Sequence, residues 1–309
     1  MTNMFLRAGS AIALLFAAPA LAQQAAPPAA PAAPAAVETK DADPALWVVK
    51  DEDTTIYLFG TVHILKPGLS WFDEAVKKAF DESGELVTEL GLMPDPAAAQ
   101  PLIVKYGVNA TGPTLTEKLP ADKRAAFAKA VADLGLPLAV VDRFDPWLAS
   151  VQLSMMTLVK QGYNPQSGAE EALHGAAKAA GKPITGLETM EEQFSFFDSL
   201  SEEAQIKYLV ETVDKLAEAG SILDKMVAEW AQGDADGLAV LMNEGFTGSP
   251  EAVKKLLTDR NARWAEWIGK RLDKPGTVFV AVGAGHLAGK GSVQAYLADR
   301  KIKATRIEY

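Results

Sequence analysis

Cysteine is absent from this chain of 309 residues, so no disulfide can form and no thiolate can act as a nucleophile or a metal ligand. Positive charge is scarce as well, with 30 Lys and Arg against 40 Asp and Glu and a formal net charge of −10 at pH 7. This balance argues against a nucleic acid or an anionic membrane surface as a partner. Histidine occurs only three times.

Several familiar catalytic signatures are also missing. The chain has no H-E-x-x-H pair, no phosphate-binding Walker loop and no G-x-S-x-G nucleophile elbow. Gly283-Ala284-Gly285 has two of the three glycines of a dinucleotide-binding turn, but the third is absent. Beyond the N-terminal region, no stretch is long and apolar enough to cross a bilayer, so we expect no membrane span in the mature chain.

The N-terminal residues predict export followed by a spacer. Arg7, the apolar run 11–18 and the small-residue site Ala20-Leu21-Ala22 indicate a signal peptide over residues 1–22, cleaved after Ala22. A retained membrane anchor is the alternative. Residues 23–44 are rich in alanine and proline, which predicts a disordered tether or plain leader. We therefore expect a periplasmic or secreted protein with one domain over residues 45–309.

A Gly-x-x-His turn occurs twice, each time directly after an apolar run that is typical of a strand. The turns end at His63 and His286. A strand followed by a glycine turn places the next polar side chain at the carboxyl edge of a sheet, where ligands collect in open α/β folds. Two of the three histidines thus share one setting. We expect them to meet at one site, although a histidine that merely caps a strand or helix is the alternative.

The surrounding pattern predicts an α/β fold. Each turn lies in a unit of strand, GxxH turn, helix and strand, and the two units stand near the two ends of the mature chain. We expect a mixed or parallel central sheet built from these units. The intervening sequence, about 95–272, has mainly helical periodicity and is predicted to be a large insertion.

Two glutamates complete the predicted site. Glu89 and Glu188 each end an apolar strand, so a parallel sheet brings both to the edge that carries the histidines. A carboxylate buried there needs a partner or a cation. His63, His286 and Glu89 are therefore predicted to ligate a divalent metal ion, with Glu188 or Glu89 as general base. Exposed strand ends are the alternative.

Three further polar positions lie on predicted helices. Arg260 and Asn261 precede the last long strand and are predicted to stabilise developing negative charge or to orient the ligands, with an exposed helix face as the alternative. His174 has no glycine turn beside it, and we expect a surface or groove residue. Glu170 is interpreted as a first-turn acid favoured by the helix dipole.

Five short segments, in a fixed order along the chain, carry a resemblance to a known family. They are Phe59-Gly60-Thr61-Val62-His63, Val87-Thr88-Glu89-Leu90, Gly186-Leu187-Glu188-Thr189, Asp259-Arg260-Asn261-Ala262-Arg263-Trp264 and Val282-Gly283-Ala284-Gly285-His286-Leu287-Ala288-Gly289. On these segments the chain resembles the TraB/GumN family, which belongs with the Tiki proteases. The two GxxH motifs and the acid of that family fall on His63, His286 and Glu89, and its arginine and asparagine fall on Arg260 and Asn261.

The resemblance implies a metal-dependent hydrolase, with manganese, cobalt or zinc as the candidate ion and a peptide or small molecule as substrate. Tiki proteins are described as metalloproteases, and TraB relatives act against peptide pheromones. The GumN name derives from a polysaccharide gene cluster. The chain lacks the membrane helix of Tiki and TraB members, so their membrane-proximal substrates do not carry over.

Two rival functions fit the same residues. A binding protein would use the histidines to hold a peptide, haem or polysaccharide-related ligand without turnover. A hydrolase without a metal would use them as acid and base alone. The residue pattern leaves the substrate, the metal and the oligomeric state open.

Overall fold

The computed structural model describes residues 39–92, 96–244 and 249–308. The predicted signal peptide and most of the predicted spacer lie outside the described residues. The described end of the spacer lies against the domain, because Lys40–Asp41 (β1) pairs in parallel with Leu69–Ser70 (β4) and Ala42 is buried. Across the described ranges, no helix has the length and apolar character needed to cross a bilayer.

A six-stranded mixed sheet forms the centre of the molecule. Its strands are β2 (Leu46–Lys50), β3 (Thr54–Thr61), β5 (Glu85–Leu90), β6 (Ile184–Glu188), β7 (Gly276–Gly283) and β8 (Thr305–Ile307). The order across the sheet is β6-β5-β7-β3-β2-β8. Neighbours from β6 to β3 are parallel, whereas β2 runs antiparallel to both β3 and β8. The predicted α/β fold with a mixed sheet is confirmed.

Helices make up most of the remaining described chain. They are α1 (Glu74–Glu82), α2 (Pro96–Gly107), α3 (Leu115–Lys118), α4 (Arg124–Asp133), α5 (Leu138–Val141), α6 (Pro146–Lys160), α7 (Ala169–Ala179), α8 (Met190–Asp198), α9 (Glu202–Lys215), α10 (Ala219–Ala231), α11 (Ala235–Glu244), α12 (Pro250–Val253), α13 (Asp259–Leu272) and α14 (Val293–Asp299). The predicted helical insertion corresponds to α2 through α13. Within it, β6 returns to the sheet.

Both faces of the sheet are covered, which follows from the alternation of side chains along its strands. On β3, Phe59 packs with Phe80 of α1 and Trp230 of α10 on one face. Leu58 packs on the other face with Trp264, which lies on α13. The inner parallel strands β3, β5 and β7 are consequently largely buried, whereas β6 at the edge of the sheet is partly exposed.

The two GxxH turns are in direct contact at the carboxyl edge. A Cβ atom on Gly60 would lie 2.9 Å from the Cα atom of Ala284, so glycine permits this close approach. The Gly60 carbonyl also accepts a buried hydrogen bond of 2.7 Å from Trp230 Nε1. The first turn is therefore fixed both to the second turn and to α10.

We predict that Trp230→Phe lowers the free energy of unfolding by about 1–3 kcal/mol, because a buried hydrogen bond to Gly60 is lost. Chemical denaturation of both proteins measures the difference. Trp267→Phe is the matched control, since Trp267 is only partly buried. Equal stability of the Trp230 variant and the wild type would show that this bond does not hold the turn.

Candidate functional site

Four of the predicted site residues lie at the ends of four neighbouring parallel strands. Glu188 is the last residue of β6, and Glu89 is the penultimate residue of β5. His286 follows β7, and His63 follows β3. The strands are adjacent in the order β6-β5-β7-β3, so the four side chains share one edge of the sheet. Their roles as ligands or catalytic groups stay predictions.

Arg260 lies at the centre of this edge and is buried, with 4% of the residue exposed. Its Nη2 atom donates to Glu89 Oε2 at 2.6 Å and to Glu188 Oε2 at 2.7 Å. Its Nε atom donates to Glu188 Oε1 at 3.0 Å. Gln193 of α8 adds a bond of 3.0 Å to Glu188 and one of 3.3 Å to Glu89. The alternative of an exposed helix face therefore does not apply to Arg260.

The backbone before α13 contributes to the position of Arg260. Residues Lys254–Thr258 form a π-helical turn, a geometry that is frequent at functional sites. The carbonyl oxygen of Leu256, within this turn, accepts a hydrogen bond of 3.1 Å from Arg260 Nη1. Burial alone would lower the pKa of Arg260, but the charges of Glu89 and Glu188 outweigh it, and the pKa is raised. The guanidinium is a permanent cation at this edge.

His286 is held through its Nδ1 atom. Asn261 Nδ2 donates to the Gly291 carbonyl at 2.6 Å, so Asn261 Oδ1 is the acceptor that faces His286 Nδ1 at 2.5 Å. This network assigns the ring proton to Nδ1 and a lone pair to Nε2. The Nε2 atom lies 3.2 Å from Arg260 Nη1 and 3.7 Å from Glu89 Oε1. Asn261 thus holds the ring of His286 in this orientation, and its predicted role at a catalytic site stays a prediction.

His63 is held in the same way by Glu170, which the sequence indicated only as a first-turn acid of a helix. Its Nδ1 atom pairs with Glu170 Oε1, and the same oxygen accepts from Thr61 Oγ1. His63 Nε2 and Glu170 Oε2 are buried atoms with no hydrogen-bond partner among the described residues. Glu170 does lie in the first turn of α7, as expected for a helix-dipole acid. It is also the carboxylate that orients His63.

A glycine explains how Glu170 reaches His63. A Cβ atom on Gly168 would lie 2.2 Å from the His63 carbonyl oxygen, so α7 begins closer to the GxxH turn than another residue would allow. The Ala169 amide donates to the Val62 carbonyl at 2.9 Å. A glycine before a helix that starts with acids is the local signal for this contact. This local pattern does not predict that His63 is the residue that Glu170 contacts.

The His63–Glu170 pair is strongly coupled. Burial lowers the pKa of His63, but the charge and hydrogen bond of Glu170 outweigh burial, and the net pKa is raised. Burial raises the pKa of Glu170, yet His63 and the bond from Thr61 bring it below its usual value. Glu89 and Arg260 also act on His63 electrostatically, which places this pair within reach of the central cluster.

The expectation that His174 is a surface or groove residue is wrong. Only 5% of His174 is exposed, and its Nε2 atom lies 3.2 Å from Thr88 Oγ1, beside Glu89. The reason is helical spacing, since His174 is four residues after Glu170 and therefore lies on the same inner face of α7. Burial lowers its pKa, so the ring is kept neutral.

The predicted ligands offer nitrogen and oxygen donors of the kinds that bind divalent metal ions, but the positions of the described side chains do not form a metal site. Within the described part of the chain, His63 Nε2 is buried without a hydrogen-bond partner, and His286 Nε2 lies 3.7 Å from Glu89 Oε1. Ligand atoms on one ion stand roughly 3–3.5 Å apart when each bond is about 2.1 Å. Within the described ranges, no group of three or more His, Asp or Glu side chains is arranged to hold an ion. Arg260 Nη1 lies against His286 Nε2, so the Arg260 side chain would have to shift before an ion could bind His286.

Comparison with known proteins identifies the family. A sequence profile of the TraB/PrgY/gumN family matches residues 45–306, and the chain belongs to this family. An uncharacterized protein of Treponema pallidum is 22% identical over 273 residues, covering 83% of this chain and 80% of that protein. The uncharacterized protein YbaP of Escherichia coli is 22% identical over 256 residues, covering 82% and 92%. No solved structure gives a significant match.

We predict that Glu170→Gln lowers the pKa of His63, because burial then acts without the carboxylate. In the wild type the pKa of His63 is raised above 6.5 and that of Glu170 is lowered below 4.5. The stability that the pair contributes is therefore complete between these two values. It is lost as pH rises through the raised pKa of His63 or falls through the lowered pKa of Glu170.

Titration of the three histidine Cε1 resonances by NMR measures this change, and substitution of each ring assigns its signal. Denaturation at pH 5.5 and pH 9 should show a larger difference between wild type and Glu170→Gln at the lower pH. Glu171→Gln is the matched control, because Glu171 is exposed in the same helical turn. An unchanged His63 midpoint in Glu170→Gln would contradict the coupling.

Proposed function

We propose that this chain is a metal-dependent hydrolase that acts on peptides. The observation that carries the proposal is the matched pair of histidines. Each is held at Nδ1 by an oxygen acceptor, Glu170 for His63 and Asn261 for His286. This arrangement turns the Nε2 atom of each ring away from its Nδ1 acceptor, the orientation found in histidines that bind metal or move protons.

The charges at the strand ends support cation binding. Two buried carboxylates, Glu89 and Glu188, face one buried guanidinium, Arg260. Glu188 takes three of the bonds from Arg260, whereas Glu89 takes one and directs Oε1 at the Gly283 amide, 2.7 Å away. Glu89 is therefore the carboxylate with the greater capacity for a further cation. We assign it, with His63 and His286, as a ligand.

A divalent ion in this position would lower the pKa of a bound water and polarise the scissile carbonyl. The remaining roles belong to side chains. We assign to Arg260 the stabilisation of negative charge that develops on the substrate oxygen. Asn261 fixes the tautomer of His286, and Glu170 fixes that of His63. Glu188, next to Arg260, is the candidate to accept a proton from the attacking water.

The proposed location is the periplasm or the extracellular space. It rests on the sequence of residues 1–22, which has the order of a positive residue, an apolar run and a small-residue cleavage site. N-terminal sequencing of the protein recovered from a cell fraction tests it, with Gln23 expected as the first residue. Recovery of the protein from the cytoplasm with residue 1 or 2 first would contradict it.

We predict stoichiometric binding of manganese, cobalt or zinc by the purified protein, measured by calorimetry and elemental analysis. His63→Ala and His286→Ala should each weaken binding by about ten-fold or more, because one ligand is lost. His174→Gln is the matched control, since this histidine lies outside the proposed ligand set. Binding that none of the three variants alters, or no binding at all, would contradict the metal site.

A second candidate is hydrolysis without a metal, and the contact of Arg260 with His286 Nε2 favours it. In this mechanism the guanidinium of Arg260 supplies the positive charge that a metal ion would otherwise supply. His63, held by Glu170, acts as the general base. Hydrolysis of a peptide library, followed by mass spectrometry with and without a strong chelator, separates the two. We expect the chelator to abolish cleavage. Undiminished cleavage would favour the metal-free reaction, and an intact library would favour binding without turnover.

Glu89→Gln should reduce turnover of any cleaved peptide by about 10²–10⁴-fold, the range typical of a removed acid–base or electrostatic group. The matched control is Glu85→Gln, because Glu85 lies at the opposite end of the same strand, β5. The measurement is kcat/KM at saturating metal, with circular dichroism to check folding. Wild-type turnover in Glu89→Gln would remove this residue from the mechanism.

A further inference from the structure

Arg263 is a second arginine beside the site, three residues after Arg260 and one helical turn further along α13. Unlike Arg260, it is open to solvent, with 50% of its side chain exposed. Its guanidinium lies over the ring of Phe196, 5.0 Å from the centroid. Its Nη2 atom is 3.3 Å from Glu188 Oε1. The Arg263 side chain is thus positioned by Phe196 and Glu188, and the remainder of it faces solvent.

Glu188 does not need Arg263 as a partner. It already accepts from Arg260 Nε at 3.0 Å, from Arg260 Nη2 at 2.7 Å and from Gln193 Nε2 at 3.0 Å. The contact with Arg263 is the longest of the bonds to this carboxylate. Most N–H donors of Arg263 therefore remain for another acceptor, and no other described residue accepts from them.

We propose that Arg263, with Phe196, forms the subsite that binds a carboxylate of the substrate. This inference rests on the proposed peptidase function and names its substrate class, peptides cleaved close to a free C-terminal carboxylate. A planar guanidinium held against a ring is pre-organised for two parallel bonds to a carboxylate. Arg263 is a half-exposed cation beside Glu188, so an anionic group of the substrate can pair with its remaining donors.

The spacing restricts where that carboxylate lies. Arg260 Nε and Arg263 Nη2 both bond Glu188 Oε1, at 3.0 and 3.3 Å. The distance between the two guanidiniums is consequently no greater than the length of about two residues of extended peptide, at roughly 3.3 Å for each residue. A carboxylate on Arg263 therefore belongs to the last residue or the last two residues beyond the reacting carbonyl. The expected products are single amino acids or dipeptides released from the C-terminus.

The test compares pools of N-acetylated pentapeptides that differ only in a free or an amidated C-terminus. For wild type, kcat/KM should be at least about ten-fold higher for the free acids, the scale of a charge-assisted contact. Arg263→Met should remove this preference, chiefly through a higher KM for the acids, so that acids and amides are cleaved with similar kcat/KM. Arg263→Lys should keep part of it, because the charge remains while the planar fork is lost.

Arg300→Met is the matched control, because it removes one exposed arginine at the far end of α14 and should keep the wild-type preference. Thermal unfolding shows whether each variant is folded. Cleavage without any preference for free acids, or the same preference in wild type and Arg263→Met, would overturn the subsite and leave the hydrolase intact.

If neither pool is cleaved, a binding measurement distinguishes the carboxylate subsite from the proposed hydrolase activity. Calorimetry with the same pools should then show tighter binding of free acids to wild type than to Arg263→Met. That result would keep the subsite while the hydrolase falls. Equal binding of acids and amides, or no binding of either, would overturn the subsite as well.

Discussion

The salt bridge of Arg260 with Glu89 and Glu188 is the interaction on which the rest of this site depends. Both carboxylates are buried at the ends of neighbouring strands, where an unpaired charge would be strongly unfavourable. The guanidinium satisfies both and contacts His286 as well. One side chain therefore connects α13 to β5, β6 and the second GxxH turn. Removal of this cation would leave two like charges together in a dry environment.

The two histidines are orientated by the same principle although their partners differ in charge. Asn261 is neutral and lies on the same helix as Arg260, so the tautomer of His286 is fixed without a second ion pair. Glu170 is charged, and it forms with His63 a pair whose protonation depends on pH. The charge state of the first turn therefore depends on the protonation of this pair.

The helical insertion completes the site. It supplies Glu170 from α7, Gln193 and Phe196 from α8, and Arg260 from α13, while the sheet supplies the strand ends. Membership in the TraB/PrgY/gumN family rests on a match that spans nearly the whole described chain. The helices between the two GxxH units are therefore part of this arrangement, since His63 and Glu188 draw their side-chain partners from them.

The sequence by itself determined the local elements, namely two GxxH turns after apolar strands, two glutamates at strand ends, and Arg260 with Asn261 on a helix. These are read from short-range periodicity and glycine placement, which act within a few residues. Only the tertiary structure decided that Glu170 pairs with His63, that His174 is buried, and that Arg260 rather than Arg263 lies between the carboxylates. Such contacts join residues far apart in the chain, 171 positions for Arg260 and Glu89. Their geometry depends on how helices pack on the sheet, which no local pattern specifies.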